Sequence, residues 1–165
     1  MIYDIVDTAF GEFMLAGKDG RLSVLSFVDG PKFQPAPKEW IRGEGAFEEA
    51  VSQLEAYFAG DLKEFDLSLA PEGTDFQCKV WRELEKIPFG ETRTYEEISR
   101  ALGNPKAVRA VGAANGANPI GIIVPCHRVV GKDGSLTGYA GGLSLKRKLL
   151  ELEGRPGMQY ELFPL

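Results

Sequence analysis

A single histidine and two cysteines in 165 residues exclude several kinds of protein at once. Two cysteines cannot form a disulfide framework, so the chain reads as one suited to a reducing interior. Cys78, Cys126 and His127 together fall short of the four ligands that structural zinc usually takes. No run of apolar residues approaches the roughly 18 needed to span a bilayer, so no membrane partner is expected. The opening MIYDIVDTAFGEF has no basic segment ahead of an apolar one and does not read as a secretory signal. A cytoplasmic location is the expectation.

Positive charge is also in short supply, with a formal net charge of −5. The deficit is uneven. Residues 1–74 carry 6 Lys and Arg against 14 Asp and Glu, whereas residues 75–156 carry 13 against 9. An acidic half joined to a basic half fits a chain whose second half faces phosphate. Uneven surface charge without a partner fits it as well.

Short apolar or alternating runs at Ile2 to Val6, Glu12 to Ala16 and Leu22 to Val28 predict strands, with turns at Ala9-Phe10-Gly11 and Lys18-Asp19-Gly20. Proline-rich Gly30 to Pro37 reads as an exposed loop. Phe47, Val51, Leu54 and Phe58 recur at helical spacing, and Phe65 to Leu69 reads as a returning strand. The segment Ala70 to Gly73 is the expected domain boundary. Beyond it, Thr74 or Asp75 caps a helix bearing Phe76, Val80, Leu84 and Ile87. Thr94 and Glu97 make a capping box for a short helix that Gly103 ends. Asn104 and Pro105 then suit the cap and first turn of the next helix, giving a helix-turn-helix candidate. Leu143 to Leu152 predicts a final helix.

The chemistry concentrates in Ile120 to Val130, IGIIVPCHRVV, where the only histidine follows Cys126 directly. A thiolate is the nucleophile of cysteine chemistry, and an imidazole is the side chain best suited to generate one near neutral pH. The string PCHRVV resembles the acceptor-cysteine motif of the O6-alkylguanine-DNA alkyltransferases. FGETRTYEEIS, NPKAVRAVGAANGANP, IIVPCHRVV, GSLTGYAGG and LLELEG follow in that family's order over roughly residues 75–154. The amino-terminal half resembles the family in length and in its strand-then-helix plan.

The resemblance implies an α+β chain of two domains. Residues 1–73 would form a small ribonuclease-H-like antiparallel sheet with a helix. Residues 74–165 would form a mostly helical, winged helix-turn-helix-like domain that binds DNA and accepts the alkyl group. It further implies direct-reversal repair. Cys126 takes the alkyl group from O6-alkylguanine, with O4-alkylthymine as a further substrate, once per molecule. His127 is the base, acting through a water, and Glu153 orients its ring. Asn118 braces the active-site turn, and the Tyr95 hydroxyl donates to guanine N3.

Val129 and Cys126 carbonyls, Tyr139, Ala140 and Lys146 line the base pocket. Ala140 stands where some members have serine, but recognition of O6 there uses a backbone N–H. Arg109 fills the space left by a flipped base. Ala110, Gly112, Ala113 and Asn115, with Arg128, meet double-stranded DNA through the minor groove, where small side chains fit. No metal or organic cofactor is implied, and the protein is expected to act as a monomer. A non-catalytic reader of alkylated DNA and a Cys-His hydrolase of small molecules are the competing readings.

Overall fold

Strands β1 (Ile2–Thr8), β2 (Gly11–Lys18) and β3 (Arg21–Phe27) form an antiparallel meander in the computed structural model, which describes residues 1–154. Residues 155–165, the end of the expected second domain, lie outside the described residues. Asp19 and Gly20 make the β2–β3 turn at φ 54° and 75°. A two-residue hairpin requires that left-handed geometry, which glycine adopts freely and aspartate tolerates. Phe13 to Gly17 is buried without alternation, so both faces of β2 are covered.

The sheet order is β3-β2-β1-β4, and β4 (Ile41–Arg42) runs parallel to β1. Two residues carry too little pattern for the sequence to announce a strand. The strand expected at Phe65 to Leu69 is instead a single bridge from Leu69 to Leu22. There Leu22 N donates to Ser68 O at 2.9 Å and Ala70 N to Leu22 O at 2.7 Å. Helix α1 (Glu48–Phe58) buries Ala50, Leu54, Tyr57 and Phe58. Its aromatics pack with Phe10 and Phe13, and the same core continues into the second half through Val80, Trp81 and Leu84.

Helix α2 (Asp75–Leu84) begins at a capping box. Gln77 N donates to Thr74 Oγ1 and Thr74 N donates to Gln77 Oε1, a pairing that contributes about 1 kcal/mol. Helix α3 (Tyr95–Ala101) starts the same way at Thr94 and Glu97. Helix α4 (Val108–Gly116) starts later than the sequence suggests. Asn104 does not cap it: Ala107 N donates to Asn104 O at 3.0 Å in a separate turn, and Pro105 lies within that turn. Residues 102–107 therefore connect the two helices. A two-residue parallel ladder joins β5 (Arg93–Thr94) to β6 (Val129–Val130), and α5 (Leu143–Leu152) closes the described chain.

Candidate active site

The edge of β3 holds the segment that leads to Cys126. Leu25 N donates to Pro119 O at 2.9 Å, and Gly121 N donates to Leu25 O at 3.0 Å. Asn118 braces the turn from within. Its Oδ1 accepts from Ile120 N at 3.0 Å, and its Nδ2 donates to Val124 O at 2.8 Å. Ile123 N donates to Gly121 O, which closes a three-residue turn around Ile122 at φ 70°. A β-branched residue there is strained by about 1–3 kcal/mol, so the surrounding bonds over-determine it. Such strain is concentrated where a reactive group must be aimed.

Cys126, His127 and Arg128 form one turn of 3₁₀ helix, all three buried. His127 Nε2 lies 2.7 Å from Glu153 Oε2, with both side chains fully enclosed. Arg128 donates from Nε to Glu153 Oε1 at 2.7 Å and from Nη2 to Oε2 at 3.0 Å. Tyr57, from α1, donates to the same Oε2 at 2.5 Å. Burial works to raise the Glu153 carboxyl, but the hydrogen bonds and charge around it outweigh burial and hold it well below its ordinary range. Glu153 is therefore an anion that only accepts, so His127 carries its proton on Nε2. Burial also lowers His127, against the opposing pull of Glu153, and leaves the ring neutral near pH 7. Its Nδ1 is buried with no hydrogen-bond partner among the described residues. That nitrogen is the ring's free acceptor.

Burial pushes the Cys126 thiol up, with Asn118 and the Lys146 charge pulling it partly back. The resting pair is thus a neutral thiol beside a neutral imidazole. Lys146 is completely buried although it lies in the basic run of α5. Its Nζ donates to Val129 O at 2.6 Å and Thr137 O at 3.2 Å. Burial brings it down to about 8, so it still carries most of its charge at neutral pH. Tyr95 and Thr137 share a hydrogen bond of 2.5 Å between hydroxyls. Burial raises Tyr95, which keeps it a proton donor. Tyr139 is buried, and Ala140 beside it is half-buried.

Helix α4 exposes Arg109, Ala110 and Ala113 on one face. Gly112 is half-buried, and a Cβ there would lie 3.9 Å from the Tyr95 ring. Two expected DNA contacts are corrected. Asn115 is buried, with Nδ2 donating to Cys126 O at 3.4 Å, because it sits on the inner face of α4 with Val111 and Ala114. Arg128 is also buried, with Nη1 on Ile87 O at 2.6 Å and its other nitrogens on Glu153. A desolvated carboxylate needs a fixed counter-charge, and Arg128 supplies it.

A cavity of about 770 Å³ lies between the two halves and reaches Cys126, Asn118 and Tyr139. Its outer wall includes Lys32, Gln34 and Pro35 of the loop Gly30 to Pro37, which is exposed as the sequence predicts, and Trp40 beyond it. Gly30 meets the GYAGG loop so closely that a Cβ would fall 2.9 Å from Ala140 O. Sequence reasoning also missed Thr137 and Tyr57. A tyrosine on the apolar stripe of α1 was the available signal, since a buried phenol needs a partner for its hydroxyl.

Two family models match the chain. One, the 6-O-methylguanine DNA methyltransferase ribonuclease-like domain, covers residues 1–71. The other, the DNA binding domain of the same enzyme, covers residues 75–155. A methylated-DNA–protein-cysteine methyltransferase of Methanosarcina acetivorans is 56% identical over 93% of this chain and 99% of its own length. The protein of the same name from Mycobacterium tuberculosis is 53% identical over 92% of this chain and 91% of its own. The crystal structure of M. tuberculosis OGT in complex with DNA superposes with a TM-score of 0.87 at 52% identity, covering 93% of this chain and 92% of that one. By sequence along both halves and by fold, the chain belongs to the 6-O-methylguanine DNA methyltransferase family.

Proposed function

We propose that this protein repairs DNA by moving an alkyl group from O6 of guanine onto the sulfur of Cys126. The observation that carries the reading is the buried Glu153–His127 pair beside Cys126, with Nδ1 left as the one free acceptor of the ring. In this reading the thiol proton passes to Nδ1, through a water where the two do not touch. The sulfur lone pair then forms a bond to the alkyl carbon as the carbon–O6 bond breaks, and the electron pair leaves with the base. Tyr95 neutralises that charge by donating its hydroxyl proton towards guanine N3. Lys146 offsets the thiolate charge and fastens Val129 O, the carbonyl assigned to the guanine amino group. The sulfur–carbon bond of the thioether is stable, and each molecule acts once.

A stacked base cannot reach a thiol this deeply buried, so the nucleotide must rotate out at a cost of a few kcal/mol. Arg109 is exposed on α4 and is the side chain to occupy the gap. The small residues Ala110, Gly112 and Ala113 let that helix lie in the narrow minor groove of a duplex. The chain divides for this purpose near Gly73 and Thr74, works as a monomer, and acts where the chromosome is: the cytoplasm, or the nucleus of a eukaryote.

The test is an intact mass after incubation with duplex bearing O6-methylguanine, repeated with Cys126→Ser. One methyl gained by the wild type and none by the variant is the expected result. Binding without a mass change would point to a non-catalytic reader. Repeated turnover with a free thiol would point to a hydrolase.

A further inference from the structure

The amino-terminal half contributes one side chain to the buried relay, and its placement goes beyond filling the core. Glu153 is already closed by Arg128, which donates to both carboxylate oxygens. The Tyr57 hydroxyl nevertheless lies 2.5 Å from Oε2, the oxygen that also takes His127 Nε2 at 2.7 Å. Three donors therefore crowd onto Oε2 while Oε1 has one. The Tyr57 ring is fixed from its own side by Phe65, with centroids 5.3 Å apart. It meets Phe89 edge-on at 6.2 Å, and the Arg128 guanidinium lies over that same ring at 5.9 Å. Tyr57 is fully buried, so no solvent shares its hydroxyl.

We infer that Tyr57 is a positioning residue of the alkyl-transfer site, acting on His127 through Glu153. The inference rests on the proposed role of His127 as the base. By drawing on the same oxygen, Tyr57 makes Glu153 a weaker acceptor for the His127 N–H. A weaker acceptor stabilises the imidazolium less, so the ring stays neutral and ready to take the thiol proton at physiological pH. The other charged or titratable groups facing this pair are Arg128 and Lys146, which act on His127, and Tyr139, which faces Glu153; Cys126 is the chain neighbour of His127. Of these, Arg128 and Lys146 lower the proton affinity of His127, the direction inferred for Tyr57. Tyr57 is distinctive because it comes from the other half of the chain. It makes the proton affinity of the base depend on how α1 docks against the second half.

His127 is the only histidine, so its ring can be followed by nuclear magnetic resonance without assignment ambiguity. Imidazole nitrogen shifts are recorded against pH for the wild type and Tyr57→Phe, alongside single-turnover methyl transfer over the same range. The Nε2–H tautomer is expected in both proteins. In the variant, the titration midpoint and the acid limb of the transfer profile both move up by about 0.5–1 pH unit, the equivalent of one net hydrogen bond. Superimposable titrations from a folded variant would overturn the inference. A variant too unstable to titrate moves the test to the wild type. There the Tyr57 hydroxyl proton should give a resolved downfield signal with a cross-peak to the His127 Nε2 proton, and the absence of that cross-peak overturns the inference equally. Failure of the wild type to gain a methyl group would sink the proposed function instead, and leaves the two ring titrations to be compared on their own.

Discussion

The two halves of this chain bury different things. The sheet and α1 enclose Phe13, Leu15, Leu54 and Phe58, and besides the Tyr57 hydroxyl they bury only Asp4 and Ser23 among charged or polar side chains. The second half encloses Ser99, Asn115, Asn118, His127, Arg128, Lys146 and Glu153. Burying ions is costly unless each is paired and hydrogen-bonded, and hydrophobic replacements are often at least as stable. The first half is thus built for stability, and the second gives some stability up to hold a relay in place. Tyr57 belongs to the first set by position and to the second by its hydroxyl.

The sharpest way to break this contrast is a matched pair of substitutions. Glu153→Gln removes the anion that orients His127 and faces Arg128. Transfer is expected to fall by about 10²–10⁴, the usual contribution of general acid–base catalysis. Stability should fall too, by about 3–5 kcal/mol, because Arg128 is left without its counter-charge. Leu54→Ala should cost a similar 2–5 kcal/mol of unfolding free energy through the cavity it leaves. Transfer per folded molecule should stay at the wild-type rate. Denaturant titrations with single-turnover kinetics on both variants check this, and equal kinetic losses would erase the distinction between the halves.

Arg109→Ala sharpens the comparison from the exposed side. Repair in duplex is expected to slow about tenfold or more, equivalent to roughly 1.4 kcal/mol or more of the cost of extruding the base, while transfer from the free base is unaffected. Equal slowing with both substrates would remove Arg109 from base extrusion.

Lys146→Met should give a pH-dependent effect on stability. Folded Lys146 titrates near 8, against about 10.4 in an unfolded chain. Between those values the unfolded chain binds the extra proton, so folding is favoured more as pH rises. The stability of the wild type relative to Lys146→Met is therefore expected to increase from about pH 8 to about pH 10. A flat difference across that range, by urea denaturation, would contradict the buried lysine. Smallest of all, Thr74→Ala should cost about 1 kcal/mol of stability and leave transfer untouched, since it removes only the cap of α2.

Much of this was legible in the sequence, and the reasons are local. The short apolar runs of β1 to β3, the Asp19-Gly20 turn and the Thr94–Glu97 capping box are each written within a few residues. The meeting of Glu153 with His127 spans 26 positions and came from the family resemblance rather than from spacing. Arg128 and Asn115 read as surface groups in the sequence because basic and polar side chains on or near an exposed helix suggest solvent. Nothing local reveals that one serves a buried carboxylate and the other faces the Cys126 carbonyl. The proline-rich loop at Gly30 to Pro37 is exposed, as its sequence predicts, but proline marks a loop without saying that it also walls a cavity. Tyr57 was hidden for a related reason: helical periodicity shows that a face is buried, but not that a hydroxyl on it has a distant partner.

The most direct trial of the account is the mass of Cys126 itself. Wild-type protein is exposed to excess duplex bearing O6-methylguanine, digested, and the peptide containing Cys126 is examined. The account expects one methyl group on that sulfur in every active molecule, with Cys78 unmodified and the guanine restored. A folded protein whose Cys126 stays a free thiol after prolonged exposure would contradict it.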